Sequence, residues 1–261
     1  MNRAVRYISF ASAVALFCAG MGLLCLKAGR DRDFLAVDRL EVSFTDSLRF
    51  VSEDDVRGYI DSRYGAYVGR RLDSIDLRRL EEILESRSAI SRCEAWTTDD
   101  QVLHVSISQR APVVRFMKGD HGFYVDDRGY IFPLHPDYTA PVPLVEGDIP
   151  VNVGEGYKGE APDEKSKEWI EGVITLTNYL KGAKDWNTRI DRITVDSRGD
   201  LVLHPSSGDE NFIFGAPDDI AGKLSRIDRY YSYILPAKGE GYYKYVNLKY
   251  KNQIICRQKG I

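Results

Sequence analysis

Tyr7 to Leu26 (YISFASAVALFCAGMGLLCL) constrains this chain more than any other stretch, because its twenty residues carry no charge. A helix that crosses a hydrocarbon core of about 30 Å needs about 20 mainly apolar residues. Arg3 and Arg6 bound the run on one side, and Lys27, Arg30 and Arg32 on the other. A cleaved leader is the competing reading, with Cys18-Ala19-Gly20 as small residues near a cleavage point. Against it, apolar residues continue through Met21, Leu23, Leu24 and Leu26, past the ~7–15 residues of a leader's apolar region. Phe17 and Leu24, directly before Cys18 and Cys25, are too bulky for a lipid-attachment site. The run therefore reads as a retained transmembrane helix at residues 7–26, with a head at 1–6 and a linker at 27–36. Lys and Arg are nearly balanced across it, and long domains translocate largely regardless of charge. Length then decides the orientation: the short head in the cytoplasm and everything beyond Leu26 outside.

All 39 acidic residues lie at Asp31 or later, while Arg3, Arg6 and Lys27 are three of the 36 basic ones. The part beyond the anchor is thus net acidic, which argues against general binding to a phosphate backbone. Cys93 and Cys256 are the two cysteines outside the run, far apart in strand-like segments, and read as separate buried thiols. No CxxC or zinc spacing is present.

The first module occupies residues 37–110. Val37 to Phe44 alternates as a strand. Ser52 can cap a helix, with Asp55 three residues on and Val51 stapling onto Val56. A second helix starts near Ser74, its stripe being Leu77, Leu80, Ile83 and Leu84. Ile90 to Thr97 and Gln101 to Gln109 read as strands around an Asp99-Asp100 turn; in the second, Leu103, Val105 and Ile107 share one face. The order β-α-α-β-β gives one helical layer on a small sheet.

Gln109-Arg110-Ala111-Pro112 marks the boundary to residues 111–261, a strand-rich domain with two helices, so the fold class is α+β. Strands are expected in VVRFM, in GFYVDDRGYIFPL, at Val142 to Val145, at Arg189 to Asp196, at Asp200 to Leu203 and at Asn211 to Gly215. Gly147 to Asp163, polar and glycine-rich, reads as a mobile surface loop. One helix runs from Asp163 to Lys181 over Ile170, Val173, Ile174, Thr177 and Leu180. Another opens at Pro217-Asp218-Asp219, acids toward its positive end, with Ile220, Leu224, Ile227 and Ile234 as its stripe.

Few residues in the chain carry a pattern that points to chemistry. His121, Asp126, Asp127 and His135 flank turns, where Asp and His are ordinary surface residues. Gly154-Glu155-Gly156 and Gly239-Glu240-Gly241 are lone GxG pairs outside any strand-to-helix turn. No GxSxG elbow is present. Neither a catalytic residue, a metal nor a cofactor is expected.

The closing stretch is the most suggestive. Tyr242, Tyr243, Tyr245 and Tyr250 cluster in YYKYVNLKY, which leads through Lys251-Asn252 into Gln253 to Arg257 as one or two strands. It can be a core strand with tyrosines at its ends. It can equally be an exposed edge that adds a partner strand, with Lys244, Lys249 and Lys251 as gatekeepers. Residue patterns leave both readings open.

The order of these pieces resembles the FtsQ/DivIB cell-division family. The resemblance lies in VSEDDVRGYI and SIDLRRLEEIL of a POTRA module, and in ISRCEAWTTDDQVLHVSISQRAPVVRF. Arg110, Pro112, Val113 and Arg115 of the latter stand at an Arg-x-Pro-Val-Ala-Arg-type motif. GFYVDDRGYIFPL resembles the opening of the family's β-domain, and YKYVNLKYKNQIICR its closing Tyr-Val-Asp-Leu-Arg-Tyr segment. Gln109 stands where the family often has Glu, and Asn247 where Asp is common. The resemblance implies a non-enzymatic, single-pass divisome scaffold in the bacterial inner membrane. Its bulk would be periplasmic, and it would gather at midcell. It also implies that Tyr250 and Lys251, Asn252, Gln253, Ile254 and Ile255 pair with an FtsB-like partner arriving with an FtsL-like one. Tyr245, Val246 and Leu248 would position that edge, and septal peptidoglycan synthases would be controlled indirectly. The alternative is a membrane-tethered POTRA-type protein in outer-membrane or secretion assembly.

Overall fold

The computed structural model describes residues 16–21, 35–183, 186 and 189–258. Of the expected transmembrane helix at 7–26, only residues 16–21 fall within that set, and they are helical and exposed. The remainder of that helix lies outside the described residues. Among the described residues, no helix is long and apolar enough to cross a membrane. The chain divides into two compact units between Gln109 and Arg110.

The first unit follows the expected order. Strand β1 (Arg39–Phe44) precedes helix α1 (Glu53–Arg63), helix α2 (Leu77–Glu85) and strands β2 (Ile90–Thr97) and β3 (Val102–Gln109). Its sheet runs β1-β3-β2, with β1 parallel and β2 antiparallel to β3. Parallel pairing of β1 with β3 needs a crossover, and the two helices supply it. The Ser52 side chain accepts from Asp55 N–H while the Asp55 side chain answers the Ser52 N–H, so α1 begins with the expected capping box. Val56 and Ile60 of α1, Leu80 and Leu84 of α2, and Leu103, Val105 and Ile107 of β3 are buried. β1 starts two residues later than expected, because Val37 bonds instead to the loop, with Gly69 and Arg70.

Among the described residues, the second unit is built on a nine-stranded sheet. Its first strands are β4 (Pro112–Lys118), β5 (His121–Asp126), β6 (Ile131–Pro133) and β7 (Leu144–Gly147). Helix α3 (Glu164–Gly182) then carries the chain to β8 (Ile190–Val195), β9 (Leu201–Pro205) and β10 (Asn211–Gly215). Helix α4 (Ile220–Arg229), a π-turn (Tyr230–Ile234) and helix α5 (Leu235–Lys238) precede β11 (Tyr245–Asn247) and β12 (Ile255–Arg257). The sheet order is β12-β11-β10-β9-β8-β7-β4-β5-β6. β7 and β8 are parallel across the α3 crossover, and β10 and β11 are parallel across α4. Ile170, Val173 and Leu176 of α3 and Leu224 and Ile227 of α4 share one core with Val145, Leu203, Phe212, Phe214 and Val246. Each such side chain contributes about 1.5–3 kcal/mol on full burial.

Two expectations are revised. The Gly147 to Asp163 segment is pinned: Ile149 and Val151 are buried, and Gly159 exchanges two main-chain bonds with Ile131. Its composition reflects turns, with apolar anchors between them. Helix α4 begins at Ile220, so Pro217 and Asp218 precede it instead of forming its first turn, and Asp219 stands at its N-terminal boundary. Asp219 sits at φ 44° and makes no capping bond; it pairs with Arg226 at 3.2 Å, while Asp218 pairs with Lys223. Lys223 and Arg226 are both buried, and burying a charge is costly unless it is paired.

Candidate partner-binding site

The closing stretch divides between the two readings left open by its sequence. β11 lies inside the sheet between β10 and β12, and β12 ends the sheet order. Val246 and Leu248 are fully buried, whereas Tyr245, Tyr250, Lys251, Asn252, Gln253 and Ile255 are exposed and Ile254 is half-buried. Lys251 and Asn252 form the turn, with Asn252 at φ 60°, a backbone region that Asn tolerates better than most residues. Of the segment Lys251 to Ile255, Ile255 therefore lies in the strand itself, which continues to Cys256 and Arg257.

Ladder geometry fixes which groups face outward. Leu248 N–H donates to Ile213 O, and Asn211 N–H to Lys244 O, so Val246 between them turns its backbone toward β10, while the Lys244 N–H just before β11 donates to Arg257 O of β12. Tyr245 and Asn247 then face β12, where their register partners are Arg257 and Ile255. By the alternation of an antiparallel ladder, the amide and carbonyl of Cys256 point to the open rim. The partner edge expected from sequence ends at Ile255 and leaves out Cys256 and Arg257. The signal for them was the Lys251-Asn252 turn, which moves the strand beyond Gln253.

Beside this rim lies an open cleft of about 360 Å³ on the face opposite the helices. Register aligns Val202, Ile213, Asn247 and Ile255 in one row across β9 to β12, and Tyr245 beside Arg257 in the next. Arg198 reaches the cleft from the β8–β9 turn. Its Nη2 lies 2.9 Å from Asp196 Oδ2, and that hydrogen bond raises the guanidinium pKa. Burial works to raise the Asp196 pKa, but Arg198 and the amides of Arg198 and Asp200 hold it below the usual carboxylate range. Lys249 Nζ is 2.5 Å from Asp200 Oδ2, which ties the segment after β11 to the start of β9. The cleft thus presents Val202, Ile213 and Ile255, interrupted by Asn247, beside Arg198 and Arg257, next to a rim that can exchange main-chain hydrogen bonds.

Other candidates do not converge. Asp126 is buried and accepts from Arg110, Arg128 and Tyr130, and His135 Nδ1 accepts from Asp137 N–H. Among the described residues, no group of three or more His, Cys, Asp or Glu is placed to hold a metal ion. Cys93 and Cys256 are free thiols. Burial pushes Cys93 up to about 12, with Glu81, Glu85 and Glu94 adding to it.

A POTRA-like domain model matches residues 37–108, and a family model described as FtsQ/DivIB, C-terminal related, matches residues 111–257. The class is therefore a POTRA-like module followed by a larger mixed-sheet domain. The second match covers more than half of the chain, and the chain belongs to the FtsQ/DivIB family, whose domains are those of a cell-division scaffold. Comparison with curated proteins gives no match.

Proposed function

We propose that this chain is a non-enzymatic, single-pass scaffold of the division machinery that recruits an FtsB-like partner, together with an FtsL-like one, at its carboxyl-terminal rim. The observation that carries this reading is the position of β12 at the end of the sheet order, with the Cys256 backbone turned outward. An extended partner segment would add a tenth strand there, taking affinity from the main chain and specificity from alternate side chains. Ile254, Ile255 and Arg257 would contact it directly, with Tyr250, Lys251, Asn252 and Gln253 at the adjoining turn. Val246 and Leu248 hold the rim from the core, and Tyr245 lines the cleft beside it. Through these partners the scaffold would support septal peptidoglycan synthesis from the inner membrane, with a cytoplasmic amino terminus and its bulk in the periplasm.

Proline tests this directly. Cys256→Pro removes an outward N–H that β11 does not use, and proline is tolerated on edge strands. The full-length variant should fold like the parent yet lose capture of the FtsB-like ectodomain, and undiminished capture would remove the strand-addition reading. A fluorescent fusion should collect at midcell before constriction. A uniform envelope signal would favour the outer-membrane or secretion assembly role.

A further inference from the structure

The first unit contains a second sheet rim, and it is occupied by side chains. β2 is an outer strand, and its Cys93 and Ala95 amides point away from β3 toward α2. Glu85 Oε1 accepts from Cys93 N–H at 2.9 Å, and Glu81 Oε1 accepts from Ala95 N–H at 2.8 Å. The spacing explains the match. Residues four apart on a helix rise about 6 Å, and alternate residues on a strand are about 6.6 Å apart. One turn of α2 therefore sets two carboxylates against two successive outward amides, where the carbonyls of an added strand would lie. The opposite rim is treated in complementary fashion: Arg57 Nη2, held at 2.5 Å by Glu53, donates to Leu40 O at 2.9 Å.

We propose that Glu81 and Glu85 form a latch that closes the β2 rim against strand addition, and that the strand it excludes is β2 of a second copy of this chain. Charge complementarity points to that occupant. If two β2 strands pair antiparallel about a dyad at Cys93, the outward Cys93 amides and carbonyls face each other. Arg92 of each copy then lies opposite Glu94 of the other. Within one copy this pair already meets at 2.7 Å on exposed side chains, so the exchange needs little rearrangement. Trp96, 42 % exposed on the same strand, would gain cover in such a pair. An open rim of this kind invites edge-to-edge association, and charged side chains laid along it are a recognised way to prevent that. Here the device comes from a neighbouring helix and bonds the amides themselves.

The test uses the full chain. The double variant Glu81→Ala/Glu85→Ala should dimerise at least about tenfold more tightly than the parent in sedimentation equilibrium. Adding Arg92→Glu sets like charges opposite each other across the dyad and should return the protein to monomer. In the parent, the Cys93 and Ala95 amides should exchange with solvent about tenfold or more slowly than in that monomeric triple variant. A double variant no more dimeric than the parent overturns the proposal, as do Cys93 and Ala95 amides that exchange equally fast in both proteins. Should the alanine variants not fold, exchange in the parent decides. Protection of these two amides at the level of the β3 ladder supports the latch, and unprotected rates overturn it.

Discussion

Gln109 closes onto Asp46 through two bonds at once: its main-chain N–H donates to Oδ2 at 2.7 Å, and its side-chain Nε2 donates to Oδ1 at 2.9 Å. Nε2 also donates to Leu48 O, and Oε1 accepts from Val51 N–H. Gln109 is 5 % exposed, so this site requires a side chain that both donates and accepts. Gln109→Glu removes the two side-chain donations and sets a second carboxylate against Asp46, at an expected cost of about 2–4 kcal/mol at pH 7. The introduced carboxyl would have its folded-state pKa raised, so the deficit should shrink as pH falls through that value. Urea unfolding of the variant at pH 7 and pH 5 checks both statements.

Asp126 anchors the start of the second unit. Its Oδ2 lies 2.7 Å from Arg110 Nη1, and its Oδ1 accepts the amides of Arg128 and Tyr130. The Arg110 guanidinium also lies 3.8 Å from the Tyr130 ring centroid. Asp126→Ala leaves the half-buried Arg110 guanidinium without this carboxylate and two amides without their acceptor, and should cost about 2–4 kcal/mol. Asp126→Asn keeps an acceptor for the amides and should cost less, as denaturant midpoints of the two variants would reveal.

Gly172 lies within α3, where alanine would ordinarily stabilise a helix by about 1 kcal/mol. A Cβ there would sit 2.4 Å from Pro217 O, a backbone atom with little room to move. Overpacking of this kind costs about 1–3 kcal/mol. Gly172→Ala should therefore lower the melting temperature despite its better propensity. A higher melting temperature would contradict the packing argument.

His204 is pushed below its ordinary value of 6.5 by burial, with Arg192 adding to the effect and the Asn211 hydrogen bond opposing it. Its Nδ1 and Nε2 are each 2.8 Å from a partner, Asn211 Oδ1 and Thr194 Oγ1, a pattern that the neutral ring satisfies by donating at one nitrogen and accepting at the other. Below pH 6.5 the unfolded chain binds a proton that the folded state resists. Stability should thus decline as pH falls through 6.5 toward the lower folded value. His204→Gln should remove that part of the slope in pH-dependent unfolding curves.

Tyr250 is 53 % exposed at the turn between β11 and β12. Tyr250→Ala or Tyr250→Asp should weaken capture of the FtsB-like ectodomain by tenfold or more, as truncating an aromatic anchor does. The denaturant midpoint should stay unchanged. Undiminished capture would remove Tyr250 from the interface.

Local patterns made most elements legible. The Ser52 and Asp55 cap, the alternation of Val102 to Gln109 and the stripe from Ile170 to Leu180 all depend on residues within four positions of one another. The Gly147 to Asp163 segment was misread because its glycines and acids outnumber Ile149 and Val151, whose burial depends on distant strands. Gln109 was visible as an unusual residue, but the reason for it required Asp46, more than sixty positions away, to be placed beside it.

The sequence by itself determined the two-module order, the helices and the aromatic closing stretch, since capping and periodicity are properties of neighbours along the chain. Only the tertiary structure decided that β11 lies inside the sheet and β12 at its end, and that Glu81 and Glu85 lie along β2. A strand's side chains record which of its faces is buried. Its backbone is chemically the same at every position, so which of its edges is left unpaired is settled by the segments that come to lie beside it.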